Sequence, residues 1–356
     1  MRTQSKLLLL ALLAVAGSAV AAGAWNAAQY QTLFEQIPAP PATLAQAGAS
    51  VGLIRNPSNN VYLAITDPAL RRSRAAWHAG MDAINQAGVD AQTAGTAAAG
   101  IDVARMQSDP AYAQQIQQKM ASMSQAEKMQ MAMQMTASRQ QSQQATLANP
   151  AGMRAGIGLI GYLSRDGRPQ LDAAETGLRE HFAKLVADYD GRHAALDQQL
   201  QTALKACPVL PFDVCHVECG PDLKCLATIQ ARVPALIAAH RKLAAAELAE
   251  ETALFTATRS AMQPVIAKTG SLTAAAEAAG APASQRQSGY TAILSNSGRL
   301  QVFVAKATQR AGFWQNIQQK IIPDSPFAAN VGNLGYQYRR GKDDVTAPPS
   351  DLPKDW

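Results

Sequence analysis

Methionine and cysteine are the residues of this chain whose type and spacing could do chemistry. Met120, Met123, Met129, Met131, Met133 and Met135 place six of the eleven methionines within sixteen residues. Thioether sulfur suits soft ions such as Cu(I). On a helix, Met129 with Met133 and Met131 with Met135 form two i, i+4 pairs. Those pairs lie roughly 160° apart around the axis, so one helix cannot bring all four to a single ion. No His or Cys follows closely in sequence to complete a site. The pattern therefore reads first as irregular helix packing or an adaptable sticky surface. Met129, Met131, Met133 and Met135 are the weak candidates for a metal.

The four cysteines are Cys207, Cys215, Cys219 and Cys225. Their fate depends on compartment, and the first residues speak to that. A basic start through Arg2 and Lys6, a short apolar run from Leu7 to Ala16 and a small-residue stretch to Ala22 form the layout of a secretory signal peptide. The run is too short for a span of ~20 residues. The sequence predicts a leader over 1–22 and a periplasmic or secreted protein with no membrane span after its removal. Four cysteines in such a chain imply two disulfides, with three possible connectivities. Cys207–Cys225 clamping two helix ends, with Cys215–Cys219 inside the loop, fits the reach of an antiparallel hairpin. Closing that loop is worth roughly 3 kcal/mol in the chain-entropy model. His216 and Glu218 lie between Cys215 and Cys219, but no pair has the Cys-x2-Cys spacing of common zinc modules or redox dithiols.

Other motifs carry less. Gly156, Gly158 and Gly161 match G-x-G-x-x-G, yet Asn149-Pro150 precedes them and a helix follows, so the strand–turn–helix frame of a dinucleotide loop is missing. Gly152 and Gly156 are expected to permit close helix approach or a bend, and no cofactor is predicted. The histidines are His78, His181, His193, His216 and His240. No Glu-x-x-His occurs for a di-metal bundle site, nor His-Glu-x-x-His. His181, His193 and His240 could meet between facing helices, but a lone helix histidine is usually a packed or half-exposed residue. Glu247, Glu250 and Glu251 read as a solvated face near Arg241 and Lys242. No catalytic residue is predicted.

The elements that must hold these residues are helical. Ala and Gln abound, and only 5% of residues are aromatic. A short helix from Trp25 to Gln36 ends at prolines. Val61–Ile65 reads as a lone strand without a sheet. Asp67-Pro68 and Asp109-Pro110 are helix starts. The first opens a helix to about Gln86, followed by a connection from Ala87 to Gly100. Ser124 and Glu127 form a capping box. Apolar periodicity predicts three long helices, at about 170–206, 222–268 and 284–322, with kinks or ends at Pro234 and Pro264. Gly270 to Pro282 reads as the joint between the last two. The tail from Pro323 reads as extended or disordered.

The predicted fold is all-α, a long antiparallel helical bundle or coiled-coil hairpin with a disulfide-clamped turn at 207–225. Segments 23–108 (N-terminal helical region), 109–149 (Met/Gln-rich), 150–322 (long helices) and 323–356 (tail) follow the leader. Formal charge is +6 before Arg2 and Lys6 leave with it. The rest is scattered; even Arg71-Arg72-Ser73-Arg74 reads as a solvated face, so no nucleic acid is expected. The predicted role is a non-enzymatic interaction or scaffold protein of the cell envelope or secretome, with a protein partner or self-association. A chaperone-like binder of unfolded exported proteins is the second reading, a copper-binding protein the third, and a bundle-core enzyme the fourth.

Overall fold

Side-chain caps fix where the helices begin. A computed structural model describes residues 25–55, 61–97, 105, 109–133, 136–137, 148–206, 223–316, 352 and 356. Helix α1 (Ala27–Glu35) opens on a reciprocal Asn26–Gln29 capping box, and α2 (Leu44–Ala49) on Thr43. Asp67 Oδ1 accepts from the amides of Ala69 and Leu70 at the start of α3 (Pro68–Ala97). Asp109 caps α4 (Pro110–Ser122) in the same way. The chain is helical again over residues 125–133, opened by the predicted Ser124–Glu127 box. Each such cap contributes ~1 kcal/mol.

Between α2 and α3 lies a hairpin, β1 (Val51–Arg55) paired antiparallel with β2 (Val61–Ile65), Val51 opposite Ile65. The expected lone strand therefore has a partner. Val51-Gly52-Leu53 is short and interrupted by glycine, so the alternation is too brief to read.

Helix α5 (Pro150–Tyr162) passes through a π-helical turn, Leu163–Gly167, directly into α6 (Arg168–Lys205). Then come α7 (Leu223–Gln230), α8 (Val233–Ala278) and α9 (Ala283–Asn316). At 46 residues, α8 is about 69 Å long. Three paired contacts give its direction: His193 meets His240, Asp190 and Glu247 share Arg310, and Tyr189 meets Glu250. Numbers rise on α6 as they fall on α8, so these helices are antiparallel. Phe303 on α9 meets both Phe182 of α6 and Phe255 of α8, while Trp314 meets His193 and His240. Helix α9 thus runs parallel to α6 and antiparallel to α8.

The core follows α9. Ile293, Leu300, Val304, Phe313 and Trp314 are all buried. Its other side faces the N-terminal region, and polar side chains there donate to backbone carbonyls. Gln309 Nε2 reaches Leu63 O at 2.6 Å, Asn316 Nδ2 reaches Gly48 O at 2.8 Å, and Gln301 Nε2 reaches Ser73 O at 3.0 Å. These bonds remove the penalty for burying amides. Helix α1 is held at both ends by α8. Glu277 accepts from Ala27 N at 2.8 Å, and Arg259 donates to Glu35 O and Ile37 O at 2.5 and 3.1 Å. The carboxylate sits at the positive end of the helix dipole and the guanidinium at the negative end.

Several boundaries differ from those read in the sequence. The backbone of α3 continues through the expected connection at 87–100 as far as Ala97, because its Ala and Gln residues sustain a helix. The second long helix breaks at residues 231–232, with Pro234 in the first turn of α8. Pro264 does not end α8, which runs on through the expected joint to Ala278. A tertiary frame absorbs the one lost backbone bond. The turn is only residues 279–282, with Gly280 at φ +66°. Leu352 and Trp356 pack against the apolar core, and the rest of the expected tail lies outside the described residues. The leader lies outside the described residues. Among the described residues, no helix is long and apolar enough to cross a membrane.

Candidate functional site

The methionines divide by face as their spacing requires. Met129 and Met133 are 62% and 60% exposed, one turn apart, while Met131 is half-buried. Met120 is also exposed, and Ile116 is the buried side chain of α4. Met135 lies outside the described residues. So do Cys207, Cys215, Cys219 and His216, and with them the expected disulfide pairing. Cys225 lies on α7 and is not a free thiol.

The glycine motif lies inside α5, not on a strand–helix turn. A Cβ on Gly156 would stand 1.7 Å from Gln285 Oε1, and one on Gly152 would stand 2.7 Å from Gly280 O. Both glycines serve close approach, as their spacing suggested. Gly158 faces open space.

Of His181, His193 and His240, the last two meet. His193 of α6 and His240 of α8 are buried, with their Nδ1 atoms 2.8 Å apart. His181 instead bonds Gly177 O on its own helix. Trp314 of α9 stacks over both rings, 3.8 Å from the His193 centroid and 4.7 Å from that of His240. Asp197 Oδ1 lies 3.2 Å from His240 Nε2. One proton serves the Nδ1 pair, and His193 Nε2 is buried with no partner. Burial, then the neighbouring His240 and Arg310, push the His193 pKa down to about 3. It is a neutral ring at ordinary pH.

One turn along lies a charged layer that overturns the expected solvated glutamate face. Glu247 and Glu251 are only 2% and 1% exposed. Arg310 Nε and an η-nitrogen donate to Glu247 at 2.9 and 2.6 Å, and the η-nitrogen also donates to Asp190 at 2.8 Å. Glu250 keeps to the outside and accepts from Tyr189 Oη at 2.7 Å. Arg241 turns away to donate to Gln315 O. Lys242 is exposed. The sequence hid this because Glu at 247, 250 and 251 covers more than one face of a helix, and burial of two of them depends on an arginine sixty residues later. Burial raises the Glu247 pKa despite Arg310, and lifts Glu251 well above the ordinary carboxylate value, with Glu247 adding to the effect. Burial alone would lower Arg310, but Glu247 and Asp190 outweigh it and raise it.

Two turns above that layer a cleft of about 430 Å³ opens between α3, α6 and α9. Trp77, Leu178, Phe182 and Phe303 form its floor, and Arg74, Arg179, Arg299 and Lys306 stand around it. The Trp77 indole lies against Gly298, where a Cβ would come within 2.7 Å, and its Nε1 donates to Leu294 O at 2.8 Å. Arg74 stacks on that indole at 4.3 Å. Arg71 and Arg72 are exposed, as expected for the basic run, but Arg74 turns inward. Sequence reasoning missed the cleft because its residues come from three distant segments.

This chain matches no known family, no characterised protein and no solved structure.

Proposed function

We propose that the chain is an exported, non-enzymatic helical interaction protein. The observation that supports this reading is the exposed Met129–Met133 face on a segment with little burial of its own. An exposed thioether face adapts to a partner's apolar surface at low cost. The long helices act as the rigid bundle that presents it. Disulfides Cys207–Cys225 and Cys215–Cys219 clamp the turn of that scaffold.

Photo-crosslinking from positions 129 and 133 in the cell tests the reading. One dominant partner, or the chain itself, is the expected product, and Met129→Ser with Met133→Ser should reduce it several-fold. A broad spread of unfolded exported proteins would replace the scaffold reading with the chaperone one. A stoichiometric Cu(I) complex lost in the same variant would favour the metal reading, for which Met129 and Met133 supply two thioethers on one face. Mapping peptides without reduction checks the cysteine pairing.

A further inference from the structure

We propose that the cleft between α3, α6 and α9 is a binding site for a small amphiphile with one anionic head and an apolar body. Its volume of about 430 Å³ falls within the ~300–1,000 Å³ range of small-molecule sites. The floor is apolar and aromatic, with Phe182 edge-on to Phe303 at 4.9 Å. The rim carries four cations against one carboxylate, Glu175.

The cations are not equivalent. Arg299 is engaged by Glu175 and stands 4.0 Å from Asp172. Arg74, Arg179 and Lys306 have no ion-pair partner among the described residues. Arg74 Nε is moreover buried without a hydrogen-bond acceptor. Burial lowers the Arg74 pKa, the signature of a guanidinium short of compensation. A carboxylate, sulfonate or phosphate at the rim would supply acceptors, while the body covers Trp77 and Phe303. Guanidinium groups suit such heads through paired donors. A cationic ligand would meet a net positive rim, and a neutral one would bring no counter-charge to Arg74, Arg179 and Lys306.

The floor is also pre-formed. Gly298 lets the indole lie flat, and the Leu294 carbonyl pins it, so little ordering cost falls on binding.

The experiment is calorimetric titration of the purified protein with decanoate, 2-naphthoate, decanol and decyltrimethylammonium. Decanoate and 2-naphthoate separate an acyl body from an aromatic one. One or both should bind at 1:1, at least tenfold tighter than the neutral and cationic probes. The double variant Arg179→Gln, Lys306→Gln alters only rim side chains. It should weaken the anion about fivefold to tenfold with the thermal midpoint unchanged. Val302→Trp should abolish binding by filling the cleft. Failure of both anions to bind, equal affinity for anion and cation, or binding that survives both variants would overturn the proposal.

Discussion

His193 and His240 face each other across α6 and α8 with their Nδ1 atoms 2.8 Å apart, roofed by Trp314. This pairing makes stability depend on pH in a defined direction. The unfolded His193 ring titrates near 6.5 and the folded one near 3. Between those values the unfolded chain holds the extra proton, so the contribution of His193 to stability rises with pH by about 1.4 kcal/mol per unit. It is fully present above the unfolded value and lost as pH falls through the window. Urea titrations from pH 4 to 7 of the protein and of His193→Phe should differ by this slope, because the opposing contribution of the buried carboxylates is common to both. An unchanged slope in the variant would remove His193 as its source.

Glu251 acts in the opposite sense. Its folded pKa lies well above the unfolded carboxylate value because it is buried beside Glu247. Above the unfolded value the native state keeps a proton that the unfolded chain has released. Stability is therefore lost as pH rises towards the folded pKa. Glu251→Gln copies the protonated form in shape and should be the more stable protein at pH 8, by about 1–3 kcal/mol. The comparison at pH 4 should show little difference. A loss of stability at pH 8 would mean that the carboxylate is ionised and compensated.

Arg310 is the counter-charge that makes this layer possible. Arg310→Met leaves Glu247 buried with no cation and should cost about 3–5 kcal/mol. Replacing Glu247 by Leu in the same protein should recover most of that loss, because the unpaired charge leaves with it. Chemical denaturation of the two single variants and the double gives the coupling. Simple additivity would show that the pair does not act as a unit.

The same layer shows where sequence reading reaches and where it stops. Helix starts at Asp67, Asp109 and Ser124 were legible because a cap and the amides it satisfies lie within three residues. The α6 boundaries were legible because one apolar stripe repeats along it. Within α9, Gln301, Gln309 and Asn316 are buried although their side chains are polar. Their acceptors, the carbonyls of Ser73, Leu63 and Gly48, lie more than two hundred residues away. Glu247, Glu251 and Arg74 were misplaced for the same reason. Burial of a polar group is decided by its partner, and no local pattern names that partner. His193 and His240 lie on two predicted long helices, but nothing local placed the two rings opposite each other or Trp314 over them.

Asn149 and Gly152 join α5 to the end of α8, and a matched pair of glycine substitutions isolates that contact. Asn149 Oδ1 accepts from Gly152 N at 3.0 Å while its Nδ2 donates to Ala279 O at 2.8 Å. One side chain thus caps the start of α5 and the end of α8. A Cβ on Gly152 would stand 2.7 Å from Gly280 O and 2.8 Å from Ala279 O, and backbone oxygens cannot rotate aside. Gly152→Ala should therefore destabilise by about 1–3 kcal/mol, the usual cost of overpacking. Gly158 lies on the same helix with nothing within 4 Å of an added Cβ. Gly158→Ala should stabilise by up to about 1 kcal/mol through helix propensity alone. Thermal unfolding of the two variants should move in opposite directions. A shared direction would mean that α5 does not press on the α8–α9 turn.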